Sequence, residues 1–256
     1  MTMNLRSGLG AARGTLLSTV HRRCVPLRSL GNVVSFTFDD FPRSAYTVAG
    51  AILDKYGVRA TYYVAMGLMG TENHLGEHFR REDLDSLTRD GHELANHTFR
   101  HISSRSVGLN EFVQDVEKGA SSLRSIQGGG APRNFAYPFG DVTVRAKKAL
   151  GSVVTSARGI IGGVNGPEVD LNLLRANGLY GDADCYERAK ELVLMNERKN
   201  SWLIFYTHDV RPQPSRYGCT PELFQAVVAL ALDRGARLLP VSKVLEGMGG
   251  IDPICS

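Results

Sequence analysis

Val33-Val34-Ser35-Phe36-Thr37-Phe38-Asp39-Asp40 is the stretch on which the fold turns. Val33 to Phe38 reads as a short buried strand, apolar and β-branched, and it ends at an acidic pair. Polar residues then open a helix for which Ser44 is a candidate cap. Val48, Ile52 and Leu53 supply its apolar stripe, and Gly57 is the stop signal. A second strand follows over Ala60 to Ala65.

Working outward, the alternation continues to the end of the chain. The pattern predicts a helix from about Glu82 to Arg89 with Gly91 as its stop, a strand His92 to Asn96 and a helix Asn110 to about Ile126. Next come a strand Asn134 to Tyr137, a helix Val142 to Leu150 and a strand Ser152 to Ser156. Helix Asp184 to Lys199, strand Trp202 to Thr207, helix Pro221 to Arg234 and strand Ala236 to Leu239 complete the series. Such alternation predicts an α/β fold whose parallel sheet is covered by helices, open or closed, and six or seven units favour a barrel. Two long connections, Met66 to Phe79 and Gly159 to Gly181, interrupt it, and loops of that length are usually functional or flexible. The Gly128-Gly129-Gly130 run reads as a local linker, so residues 33–256 are expected to form one catalytic domain.

Composition bounds the reading. In 256 residues, 43% hydrophobic and 22% charged describe a folded globular chain, not a disordered one. Much of the net charge of +4 comes from residues 1–32, where Arg6, Arg13, Arg22, Arg23 and Arg28 stand without an acidic residue. This basic extension is expected to be a solvated terminus without an assigned role, so no nucleic-acid partner is expected. Arg22 and Arg23 break its apolar runs, so no secretory core is read there, and no span is apolar enough for a transmembrane helix. Cys24, Cys185, Cys219 and Cys255 are scattered without a Cys-x-x-Cys pair, which suggests reduced, mostly buried thiols and a cytoplasmic setting.

The polar candidates fall just after predicted strands: Asp39 and Asp40 after the first, His97 after the third, Arg158 after the fifth, His208 after the next-to-last. In a parallel barrel those ends share one face, where active sites are assembled. His97-Thr98-Phe99-Arg100-His101 sets two imidazoles four residues apart, on one side of a helical turn and able to share a cation. Alone, that spacing is weak. Asp39-Asp40 supplies the missing carboxylate: adjacent residues at a strand end point differently, so one can ligate while its neighbour faces the open position. Two His and one carboxylate leave room for water and substrate, as catalytic sites do. His208 is placed to protonate a leaving amine, and imidazole titrates in a suitable range.

Four motifs in order carry a resemblance: Thr37-Phe38-Asp39-Asp40, His97-Thr98-Phe99-Arg100-His101, Tyr137-Pro138-Phe139-Gly140 and Leu203-Ile204-Phe205-Tyr206-Thr207-His208. Together, over about residues 33 to 240, the chain closely resembles the polysaccharide deacetylases, also called NodB-homology or carbohydrate esterase family 4 proteins. The resemblance implies a distorted (β/α) barrel of seven parallel strands that removes N- or O-acetyl groups from an N-acetylated glycan substrate. It implies one divalent metal ion, zinc first, with cobalt, nickel, manganese or iron as alternatives. It assigns Asp39 as base, Asp40, His97 and His101 as ligands, His208 as acid, the Phe139 N–H to the oxyanion, and Tyr137 with Phe139 to the substrate groove.

The match departs from the family at two places. Where many members carry an Arg that orients the catalytic Asp, this chain has Ala136, so Arg158, or less favourably Arg133, is expected to substitute. An Asp that would orient His208 is not evident, with Asp170, Asp182, Asp184 and Asp209 all candidates. Two further readings stay open at this level. One is an amidohydrolase of deformylase or imidase type, and the other is a catalytically impaired, carbohydrate-binding barrel. A non-haem iron oxygenase also uses two His and a carboxylate, but typically on an all-β frame.

Overall fold

The computed structural model describes residue 14 and residues 16–27, 30–127 and 133–249. The Gly128 to Gly130 run, Arg6, Arg13, Arg28 and Cys255 lie outside the described residues. In chain order the first half comprises β1 (Cys24–Pro26), β2 (Val33–Asp39), α1 (Ser44–Thr47), α2 (Ala49–Lys55), β3 (Thr61–Val64), β4 (Glu72–Asn73), β5 (Gly76–Glu77), α3 (Arg81–Arg89), β6 (Glu93–Asn96) and α4 (Leu109–Arg124). The second half adds β7 (Asn134–Ala136), α5 (Val144–Leu150), β8 (Ser156–Arg158), β9 (Glu168–Asp170), β10 (Asn177–Gly178), α6 (Tyr186–Lys199), β11 (Trp202–Thr207), α7 (Pro221–Asp233), β12 (Arg237–Leu238) and α8 (Val241–Met248).

The sheet runs β10-β11-β2-β3-β6-β7-β8, seven strands with every pairing parallel, and β12 pairs with the start of β2. It curls into a distorted (β/α) barrel. Irregular backbone bridges the two edge strands: Ala157 N–H donates to Leu171 O at 2.7 Å, Leu174 N–H to Ala157 O at 2.8 Å, and Gly159 N–H to Leu174 O at 3.0 Å. Segment 171–176 then leads directly into β10.

All seven residues of β2 are buried, but its two faces differ. Val34, Phe36 and Phe38 point outward and pack with Phe224, Val227 and Val228 of α7 and Ile52 and Leu53 of α2. Such burial contributes about 1.5–3 kcal/mol per large apolar side chain. Ser35, Thr37 and Asp39 point inward. Ser35 Oγ accepts Trp202 Nε1–H at 2.9 Å, and Thr37 Oγ1 donates to Phe205 O at 2.9 Å, so the buried hydroxyls are satisfied. The alternating period of a strand thus sends one set of side chains to the helices and the other to the barrel interior.

Several expectations are corrected. The single helix expected from Ser44 breaks at Val48 into α1 and α2, and Ser44 Oγ accepts Val210 N–H at 3.1 Å instead of capping. The strand expected at Ser152 to Ser156 lies at Ser156 to Arg158. Residues 152–154 belong to the turn that ends α5, with Val153 and Val154 N–H groups both donating to Leu150 O. The long connections contain structure: β4 and β5 form a hairpin, and β9 pairs with β1. The thiols are free, but Cys24 and Cys185 are exposed and only Cys219 is buried among the described residues. Cys24 sits on a two-stranded ribbon and Cys185 on the turn before α6, neither of which is covered.

The basic extension is not a free arm over residues 16–27. Leu17 is buried in the cluster that contains Phe112, Phe135 and Leu150. Lys147, fully buried, donates from Nζ to Leu17 O at 2.7 Å and to Asp170 Oδ2 at 2.7 Å. Asp170 Oδ1 accepts the N–H of Arg23 at 3.0 Å, while the Arg23 guanidinium donates to Val154 O at 2.8 Å and also to Thr155 O. The Lys147 ammonium, the Asp170 carboxylate and the Arg23 guanidinium therefore fasten the segment to the barrel. Asp170→Ala leaves a buried ammonium without its counter-charge and is expected to lower unfolding free energy by about 3 kcal/mol. Urea unfolding measures it, and a loss below about 1 kcal/mol would mean that the pair is dispensable.

Candidate active site and metal centre

Parallel register brings the motif residues to one rim. Phe38 pairs with Thr207, so Asp39 on β2 and His208 after β11 stand at the same height. Asp39 itself pairs with Tyr63 of β3, Val64 with Asn96 of β6, and Ala136 of β7 with Arg158 of β8. His97 follows β6, and its Nδ1 lies 2.8 Å from Ala136 O. These are the C-terminal ends of the strands, the face where parallel barrels carry their chemistry.

The turns there are strained. Seven non-glycine residues have positive φ among the described residues; four of them, Asp40, Thr98, His101 and Phe139, lie in these motifs and a fifth, Phe41, directly follows the first. Such conformations cost about 1–3 kcal/mol each and persist where surroundings over-determine them. The His97 to His101 segment is a bend and not the helical turn expected from its spacing. Asp115 on α4 holds it: Oδ1 accepts the N–H groups of Phe99 at 2.9 Å and Arg100 at 2.8 Å, and Oδ2 accepts Arg100 Nε–H at 2.6 Å. From the other side Gly67 N–H donates to Phe99 O at 2.7 Å. Gly119 permits the contact with α4, since a Cβ there would lie 2.4 Å from Asn96 Oδ1 and 2.9 Å from the Thr98 carbonyl carbon.

The bend directs both imidazoles at Asp40. Asp40 Oδ1 lies 3.0 Å from His101 Nε2 and 3.4 Å from His97 Nε2, and the three potential ligand atoms are within 4.8 Å of one another. Burial opposes the charged carboxylate, but the imidazoles of His101 and His97 beside it outweigh burial and hold Asp40 well below the usual carboxylate range. The donor set fits a divalent cation. Asp40 Oδ1 is buried without a hydrogen bond of acceptable geometry, and the Nδ1–H of His97 is committed to Ala136 O, which leaves the Nε2 lone pair for a metal. Two nitrogens and one carboxylate oxygen suit a catalytic site with open positions.

The other expected residues take varied places. Arg158, fully buried, donates from Nη2 to Asp39 Oδ1. Burial opposes its charge, yet Asp39 beside it pushes the guanidinium above its ordinary value. Arg133 lies at the opposite end of β7, where its carbonyl accepts Thr155 N–H. His208 Nδ1 is 3.2 Å from Tyr217 O, so a backbone carbonyl orients the ring and leaves Nε2 as its working nitrogen. Three of the four Asp candidates are engaged elsewhere: Asp209 accepts from Ser215 and pairs with Arg211, Asp170 holds Lys147, and Asp182 accepts the N–H of Asp184, which is itself exposed on the turn before α6. Phe139 is 63% exposed with its ring 4.4 Å from that of His101. Tyr137 corrects an expectation: it is 1% exposed, stacked with Phe112 and edge-on to Phe135, and so belongs to the core beneath the rim, not to a groove.

The C-terminal rim of this parallel (β/α) barrel thus brings together two imidazoles and a carboxylate able to hold a metal ion, a second adjacent carboxylate and a third imidazole. Residues 28–154 match the family described as polysaccharide deacetylase, the family that the four motifs resemble. Over 114 residues, 43% of this chain, it is 28% identical to the peptidoglycan-N-acetylglucosamine deacetylase of Bacillus cereus; the match spans 37% of that protein's length. Among solved structures it is similar to a family 4 acetyl xylan esterase from Clostridium thermocellum, at TM-score 0.58 and 19% identity over 87% of this chain and 93% of that one. PdaA of Bacillus subtilis, a family 4 carbohydrate esterase, gives TM-score 0.56 and 10% identity over 92% and 89%. At such identities the structural likeness speaks for the fold.

Sequence reasoning missed Asp115, although a signal was available. Phe112, Asp115, Val116, Gly119 and Leu123 share the buried face of α4, and an acid and a glycine on an apolar stripe require a partner to explain them. Among the described residues no helix is long and apolar enough to cross a membrane.

Proposed function

We propose that this protein is a metal-dependent hydrolase that removes N-acetyl groups from an N-acetylated glycan. The observation that carries the reading is the convergence of Asp40, His97 and His101 beside the Asp39–Arg158 pair, on the rim that also bears His208. Asp40, His97 and His101 would hold a divalent ion, with zinc the best match to an N,N,O donor set, and bound there it would supply Lewis acidity toward the amide carbonyl and the attacking water. Asp39 Oδ accepts the proton of the attacking water, and Arg158 holds that carboxylate in place. The Phe139 N–H, on a left-handed turn, is not used in the turn's own bonds, Gly140 N–H to Tyr137 O and Asp141 N–H to Pro138 O. It donates to the oxygen on which charge develops, a contribution of about 3 kcal/mol where such donors have been removed. His208 Nε2 delivers a proton to the departing amine nitrogen.

The fragmentary match to the Bacillus cereus relative, which is named for N-acetylglucosamine in peptidoglycan, supports this substrate class. Metal analysis of the purified protein coupled to acetate release over a panel of N-acetylated glycans tests the proposal. The expected result is one ion per chain and acetate release that a chelator abolishes and zinc restores. Absence of release with every divalent metal, alongside retained sugar binding, would replace the hydrolase with a binding barrel.

A further inference from the structure

Arg158 is the least conventional residue of the site. It is 0% exposed, Nη2 bonds Asp39, Nη1 reaches Gly159 O only at 3.4 Å, and Nε has no partner. A guanidinium so sparsely bonded in a dry interior has lost hydration that its hydrogen bonds do not replace. Aromatic faces replace it: the guanidinium carbon lies 5.0 Å from the ring centroid of Tyr63 and 5.0 Å from that of Tyr206. Tyr63, on β3, is the register partner of Asp39, and Tyr206, on β11, is the partner of Thr37. The rings therefore enter the barrel from the two strands that flank β2. Tyr63 packs with buried Ala95 and Ala136, whose small side chains leave space in the interior for a long one. Ala136 is the direct cross-strand partner of Arg158.

We propose that Tyr63 and Tyr206 are positioning residues that clamp the Arg158 guanidinium between their ring faces and so fix the direction of the Asp39 carboxylate. A guanidinium is planar and weakly hydrated, which lets both faces stack while the edge carries the hydrogen bond to Asp39. The ring is the working part. The Tyr63 hydroxyl is buried and makes no hydrogen bond of good geometry, although Arg158 lies close enough to interact with it, so Tyr63→Phe separates the hydroxyl from the ring face. Tyr63 also lies 6.4 Å, ring to ring, from His97, which places the clamp directly beside the metal ligands. This inference rests on the hydrolase reading for its catalytic consequence only.

The test compares Tyr63→Phe and Tyr206→Phe, which keep the faces, with Tyr63→Leu and Tyr206→Leu, which remove them. In the full chain with 15N-labelled arginine, the signal absent from the Arg158→Lys protein reports guanidinium rotation. Rotation is expected to stay restricted in the wild type and Phe variants and to become fast in the Leu variants. In parallel, kcat should fall about 10- to 100-fold in the Leu variants only. KM within about threefold of wild type and unchanged bound metal would separate positioning from damage. Restricted rotation in the Leu variants, kcat equal to that of the Phe variants, or metal lost in step with kcat would each overturn the clamp. If a Leu variant does not fold, Met, close to it in volume and also without a ring face, makes the same comparison. A wild type that hydrolyses no acetylated glycan, with rotation still following the ring series, would sink the hydrolase reading and leave the clamp standing.

Discussion

Asp39→Asn lowers kcat by about 100- to 10,000-fold while the protein keeps one metal ion per chain; the range is that typical of a positioned general base. The amide has nearly the shape of the carboxylate, so packing at the end of β2 is preserved. Its carbonyl oxygen can still accept from Arg158 Nη2, which keeps the clamp side of the contact occupied. What disappears is the basic lone pair that takes a proton from water. Metal binding persists because Asp39 is not among the three converging donors, Asp40, His97 and His101. Metal analysis and acetate release on the same preparation check both halves. A full rate would refute the base assignment, and loss of the ion would move Asp39 into the ligand set.

The part of this site visible in the sequence is the part written in contiguous residues. The run Val33 to Phe38 has one reading, and Trp202 to Thr207 forms the strand expected of it, because apolar runs bounded by polar residues are decided locally. Residues 152–155 mislead for an equally local reason. Val153 and Val154 have the composition of a strand, yet the carbonyl of Leu150 captures both N–H groups as α5 ends. The imidazole spacing predicts convergence for the wrong geometry: the residues meet through a bend that Asp115 and Gly119 hold from α4, not through a helix. Arg158 is placed correctly on the catalytic side by strand-end reasoning, but its bond to Asp39 spans 119 positions of sequence. Tyr63 and Tyr206 look like ordinary strand aromatics until register sets them on either side of β2. Pairing across strands is where the chemistry of this barrel is hidden, and no local pattern records it.

His97→Ala loses both the ion and the activity, and its thermal behaviour separates it from Asp39→Asn. His97 is buried, and its Nδ1–H is fixed on Ala136 O, which aims Nε2 at the site. Removal leaves Asp40 and His101, two donors where an ion of this class takes three from the protein. It also leaves the buried Ala136 carbonyl without the imidazole N–H, at a cost of about 1–3 kcal/mol. Ligand binding to the native state stabilises it by RT ln(1 + [L]/Kd), about 2.7 kcal/mol at a hundredfold excess over Kd. Wild type and Asp39→Asn are therefore expected to melt several degrees higher with saturating zinc than with chelator, whereas His97→Ala melts at one temperature in both. Differential scanning calorimetry with and without zinc measures this directly. A zinc-dependent rise in His97→Ala equal to that of the wild type would place the ion elsewhere, and the Asp40–His97–His101 centre would then have to be abandoned.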